Sequence, residues 1–213
     1  MDPRAGYDPL PSTRKRNMDH VSHDPKTKQD TARILVMPAS TRELSLNQAL
    51  GRLLTQRILA AGTQAMLIDL VDFPMPMYNG DDEQRDGVPD TASQLVDLVK
   101  TADVLILVSP EYNGSFPALF KNTYDWMSRV DRRCLVGVTV MLASAVSGER
   151  GGRRGLDMLR TFMANVHATV PEVMLAAGSL SVDKDRNIVG VDEDAVTTFV
   201  HHAVAASRTH RAT

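Results

Sequence analysis

A chain of 213 residues with 43% hydrophobic content and a formal net charge of -2 is long enough to bury one α/β core and too short for two comfortable domains. The weak net charge and short basic runs argue against nucleic acid as a partner. No apolar run reaches the roughly 20 residues of a membrane span, and the N-terminus lacks the apolar core of a secretory signal. The single cysteine, Cys134, excludes an intramolecular disulfide framework and suits a core position in a soluble, cytoplasmic protein.

Residues 1–31 are rich in Pro, Asp, Lys, Arg and His and carry no apolar period, which predicts a disordered or loosely docked arm ahead of one domain spanning 32–213. Met18 is a second candidate start, and His20 and His23 read as solvated, without further ligands for a metal. Arg33–Met37 reads as a first strand. A helix follows from Ser45 to Ala61, with Leu46, Leu50, Leu53, Leu54, Ile58 and Leu59 on its apolar side and Gly62 at its end. Gln64–Asp69 reads as a second strand, and residues 73–82, which have no period of their own, as a surface excursion over the ligand side. Asp90 is placed to cap a helix that runs to Thr101 and buries Leu95, Leu98 and Val99.

The run Val104–Val108 is uniformly apolar, which suits a strand covered on both faces. Ser109-Pro110 stops it, Gly114-Ser115 turns the chain, and Pro117 opens a helix to Arg129. Further strands are expected at Leu135–Leu142 and Val173–Ala176, and helices at 152–166 and, capped by Asp192, at the C-terminal end, burying Val196, Phe199, Val200 and Val204. Alternation of strand and helix five times calls for a doubly wound parallel sheet. Loops at the carboxyl ends of its strands are where a ligand would sit.

Two such loops carry chemistry. Ser40-x-Arg42-x-x-Ser45-x-Asn47 brings hydroxyls, an amide, a guanidinium and the N–H groups of a helix start to one point, which suits a phosphate; Ser45 and Asn47 equally suit plain helix capping. The second is Pro110-Glu111-Tyr112-Asn113-Gly114-Ser115, followed by Lys121-Asn122 and Asp125-Trp126-x-Ser128-Arg129.

From Ala102 to Arg129 the sequence resembles the NADPH-dependent FMN reductase family, the flavodoxin-like flavoenzymes that include quinone, chromate and azo-dye reductases. The family pattern Gly-Ser-x-Arg-x-x-Ser-x-Asn is matched at the first loop, with Ala39 in place of the glycine. The resemblance implies the flavodoxin-like strand order 2-1-3-4-5 for the five-stranded sheet. It implies FMN as cofactor and NADPH or NADH as co-substrate. The lack of a Gly-x-Gly-x-x-Gly turn and the presence of Arg42 favour a terminal phosphate over a dinucleotide pyrophosphate at the first loop.

On this resemblance Ser40, Arg42, Ser45 and Asn47 bind the phosphate. Pro110, Glu111, Tyr112, Asn113 and Ser115 line the isoalloxazine edge, with the role of the Glu111 side chain open. Ser144, Ser147 and Gly148, on the loop after the fourth strand, approach the pyrimidine end through small residues. Hydride transfer through FMN to quinones or similar acceptors needs no side-chain nucleophile, so no catalytic residue and no metal is assigned, and ping-pong kinetics follow. The alternative is a flavodoxin-type electron carrier without its own NAD(P)H activity. In the family the helix after the second loop meets a neighbouring subunit, which implies a homodimer or homotetramer with Trp126 and Arg129 as contact residues.

Overall fold

Val104–Val108 form β3, the central strand of a five-stranded sheet in the computed structural model, and every one of these residues is buried. The structure describes residues 34–209, so the expectations for the arm at 1–31, for Met18, and for His20 and His23 lie outside the described residues. β3 pairs parallel with β1 (Ile34–Pro38) on one side and with β4 (Thr139–Ala145) on the other, with Val36, Ile106 and Met141 in one row. β2 (Ala65–Leu67) and β5 (Met174–Ala177) extend the sheet to the order β2-β1-β3-β4-β5, all parallel. This is the expected flavodoxin-like architecture.

The two-residue period of the strands divides their side chains between two cores. Ile34, Val36, Val104, Ile106, Met141 and Ala143 meet Leu50, Leu54 and Ile58 of α1 (Leu46–Ala60) and Phe199 and Val200 of the last helix, Glu193–Thr209. On the opposite face Leu35, Met37, Leu105, Leu107, Val140 and Leu142 meet helices from the middle of the chain. Asp192 caps the last helix as expected, accepting from the N–H of Asp194 at 3.0 Å and of Ala195 at 3.1 Å. Leu59 leaves the expected apolar stripe of α1 and is exposed.

Residues 73–82 carry more structure than their composition indicates. A 3-10 turn at Leu70–Asp72 is capped by Asp69, and α2 (Gly80–Asp86) by Asn79, whose side chain accepts from Asp81 N at 2.9 Å. In α3 (Asp90–Thr101) Pro89 takes the capping position and no side chain caps, so Asp90 is the first helical residue and acts only on the helix dipole. The expected strand 135–142 also shifts. Cys134, Leu135 and Val138 are buried in successive turns, with Gly137 at φ 85°, before β4 begins at Thr139. A short apolar run does not distinguish a buried turn from a strand. Burial pushes the Cys134 thiol up to about 11, which makes it a core side chain with little thiolate at neutral pH.

Trp126 is a further correction. It lies on α4 (Ala118–Val130), only 1% exposed within this one chain. Its indole N–H donates to Pro76 O at 2.7 Å, and Tyr78 packs edge-on at 5.1 Å. Asn122 beside it accepts from Tyr78 N at 2.7 Å and donates to Pro76 O at 2.9 Å. Arg129 stacks over the Tyr78 ring with its guanidinium 4.9 Å from the centroid. Helical spacing put these residues on one face; the excursion after β2, which no local pattern reveals, is what covers it. Trp126 is therefore core and unavailable as a subunit anchor. Trp126→Ala is expected to lower stability by about 3–5 kcal/mol, as for other buried aromatic truncations, measured by urea unfolding at several protein concentrations with a midpoint shift that does not depend on concentration.

Candidate functional site

A cavity of about 430 Å³ opens at the carboxyl ends of β1, β3 and β4, where the strand order reverses between β1 and β3. Three loops wall it: Arg42 to Asn47 after β1, Pro110 to Tyr112 after β3, and Ala145 to Ser147 at the end of β4. A fourth wall, Leu180 to Val182, comes from the hairpin of β6 (Ser181–Val182) and β7 (Ile188–Val189). The hairpin escaped the sequence reading, although its polar turn 183–187 between β-branched residues is a usable signal. It is tied to the first loop by Arg186 to Glu43 at 2.6 Å, and to α1 by Arg52 donating to Arg186 O at 2.7 Å.

The first loop carries hydrogen-bond donors at the cavity. Ser45 is the N-cap of α1 and accepts from Gln48 N at 3.3 Å, while the first turn carries no acidic residue. Leu46 and Asn47 line the cavity, and their N–H groups have no partner among the described residues, as expected of a helix start. Arg42 is exposed at the rim and, among the described residues, forms no ion pair. Ser40 sits behind this surface, 4% exposed: its carbonyl accepts from Gln48 Nε2 at 2.7 Å and its hydroxyl accepts from Arg42 N at 3.5 Å. Ser40 and Gln48, a residue the sequence reading missed, thus shape the loop from behind. Ala39 is buried in the core and does not line the cavity, so the departure from glycine leaves the site's surface unchanged.

Asn47 has another task than the one expected for its side chain. It donates from Nδ2 to Ala145 O at 2.9 Å and accepts at Oδ1 from Ala145 N at 3.0 Å, buried at 3% exposure. Both polar ends of the amide are thereby engaged with the backbone at the end of β4, so the residue fastens α1 to β4 across β3.

In the second loop Tyr112 and Ser115 exchange backbone hydrogen bonds of 2.9 and 3.0 Å around Asn113 and Gly114, whose φ angles are 53° and 78°. This is the pattern of a type I′ turn, for which Asn-Gly is the favoured pair. Asn113 and Ser115 therefore build the turn and do not line the cavity. Pro110, Glu111 and Tyr112 do, and Tyr112 is 45% exposed, a half-open aromatic beside the opening. The Glu111 carboxylate accepts from the backbone N–H of Gly155 at 2.9 Å.

The third loop differs from expectation at Ser144. That residue lies within β4, fully buried, and its hydroxyl has no hydrogen-bond partner. It points at Gly152, where an added Cβ would sit 2.1 Å from the Ser144 Oγ; at Gly151 a Cβ would meet Ala176 O at 2.5 Å. The glycines here admit the sheet rather than a ligand. Ser147 lines the cavity, and Gly148 lines an adjoining one of about 460 Å³ that shares Glu111 and Val146.

The family model for NADPH-dependent FMN reductase matches residues 32–180. The chain belongs to this family. Among its relatives, the quinone reductase of Escherichia coli (strain K12) is 32% identical over 144 residues, 66% of this chain and 76% of the relative. The probable NADPH:quinone oxidoreductase 2 of Oryza sativa subsp. japonica is 32% identical over 169 residues, 76% and 82% of the two chains. In structure the chain is similar to FerB, a flavoenzyme NAD(P)H:(acceptor) oxidoreductase from Paracoccus denitrificans, with a TM-score of 0.67 and 23% identity over 84% of this chain and 96% of that one. Membership makes the protein an NAD(P)H-dependent oxidoreductase with FMN as cofactor. The donor set fits that cofactor, since two helix N–H groups and an arginine that have no partner among the described residues, together with the Ser45 side chain, are what a terminal phosphate needs. No helix among the described residues is long and apolar enough to cross a membrane.

Asn47→Ala removes both Ala145 contacts and leaves a buried N–H and C=O unpaired. It is expected to destabilise the fold by about 2–4 kcal/mol, measured by thermal and urea unfolding of the FMN-free protein, with Asn47→Asp recovering only the contact to the N–H.

Proposed function

We propose that FMN lies in the cavity between Arg42, Tyr112 and Ser147, and that the enzyme passes electrons from NADPH or NADH to quinones or similar acceptors. What carries this reading is the convergence of an anion-binding helix start with a half-exposed aromatic and two backbone loops at the strand-order reversal of a family member. Arg42 and the N–H groups of Leu46 and Asn47 hold the phosphate, with Ser45 fixing the helix start. Pro110 to Tyr112 and Val146 to Ser147 flank the ring system. The quinone reductase and NADPH:quinone oxidoreductase names of the relatives support a quinone-type acceptor, and the family favours an oxidoreductase over an electron carrier that relies on a separate reductase.

Bound FMN supplies the redox chemistry, accepting hydride from a nicotinamide and passing electrons onward. The chain holds and orients it, and no side chain is required as nucleophile or general base. The reading includes a reducing cytoplasm, which suits the single buried cysteine, and a homodimer or homotetramer assembled through the outer side of α4. There Lys121 and Val130 are exposed, while Trp126 is not.

Arg42→Ala is expected to weaken FMN binding by about 1.5–3 kcal/mol, the loss of a charge-assisted contact, with the fold retained. Fluorescence titration of the FMN-free protein measures it, and an unchanged affinity would remove Arg42 from the phosphate site. The purified enzyme alone is expected to oxidise NADPH with a quinone along parallel double-reciprocal lines, because one pocket serves both substrates in turn; intersecting lines would show separate sites.

A further inference from the structure

α5 (Arg153–Asn165) starts badly by its own sequence. Its N-cap position is Gly152, at φ 74° and without a side chain to accept from the first N–H groups. Its first turn holds no acidic residue and instead carries Arg153 and Arg154, the wrong sign for the positive end of a helix. We infer that Glu111 is the positioning residue that supplies the missing cap and so locks the Tyr112–Ser115 turn, and with it the wall of the FMN cavity, to the start of α5.

The carboxylate reaches Gly155 N at 2.9 Å across 44 positions of sequence. Gly155 is shaped for this approach: a Cβ there would lie 3.1 Å from Cβ and Cγ of Glu111 and 3.3 Å from its Cα. A second contact joins the same two segments, since a Cβ on Gly114 would be 3.4 Å from the Arg154 guanidinium. Glu111 also lines both the 430 Å³ cavity and the adjoining 460 Å³ cavity, so its position sets the wall between them. One side chain therefore satisfies a helix start and fixes the separation of two loops. The effect on FMN rests on the functional reading above; the lock itself is a property of the chain.

The test uses the full chain, FMN-free and FMN-loaded, as wild type, Glu111→Ala and Glu111→Gln. Glutamine keeps the acceptor for Gly155 N, whereas alanine removes it. In the FMN-free protein, Glu111→Ala should speed amide hydrogen exchange in residues 153–156 by about tenfold, with Glu111→Gln within about threefold of wild type. FMN affinity should fall by about tenfold for alanine and much less for glutamine, and only alanine should alter the visible circular dichroism of bound FMN. Wild-type exchange at α5 in Glu111→Ala, or glutamine as impaired as alanine, would overturn the inference. Should Glu111→Ala not fold, Gly155→Ala, which forces the carboxylate away, must reproduce the faster exchange, and its failure to do so is equally fatal. A wild-type protein that takes up no FMN would remove the functional reading, while the exchange data still decide the lock.

Discussion

The reversal of strand order between β1 and β3 is the constraint from which the site follows. The helix after β1, α1, packs on one face of the sheet, and the helix after β3, α4, packs on the other. The loops leaving these neighbouring strands must therefore part, and the gap between them is a crevice that no side chain has to carve. β3 can occupy the centre only because its residues are apolar on both faces, so the run that makes the core also makes the crevice.

A gap between diverging loops is useful only if its walls hold still. Here long-range polar contacts to backbone groups do that work. Asn47 holds the start of α1 to the end of β4, Gln48 holds the loop behind Arg42 through the Ser40 carbonyl, and Glu111 holds the turn after β3 to α5. Each places a polar group where a backbone donor or acceptor would otherwise be buried unpaired, which is costly. With these walls fixed, the N–H groups of Leu46 and Asn47 and the Arg42 side chain are left without partners among the described residues. The division is chemically sensible: the side chains of Asn47, Gln48 and Glu111 brace the loops, and other donors are left for the cavity.

The excursion after β2 shows the same economy at the other side of α4. Pro76 and Tyr78 are held by Asn122, Trp126 and Arg129, residues that by type and spacing resemble an interface. Trp and Arg mark places where a large, partly polar surface meets a partner, and in this chain the partner is its own loop.

Much was legible in the sequence because it is local. Uniform burial of Val104–Val108, the helical periods, the Asp192 cap, the turn at Gly114 and the cluster Ser40-x-Arg42-x-x-Ser45-x-Asn47 are patterns of neighbouring residues, and with the family resemblance they gave the sheet, its order and the loop after β1 as a wall of the cavity. What only the tertiary structure decided is where each side chain ends. The Asn47 amide turned from ligand to β4, Ser144 lay inside a strand, Asn113 and Ser115 built a turn instead of a wall, Glu111 capped a helix 44 residues on, and Trp126 was covered by a distant loop. A pattern along the chain fixes which face a residue occupies. Which atoms fill the space opposite depends on contacts between segments far apart in sequence, and those exist only once the sheet has brought them together.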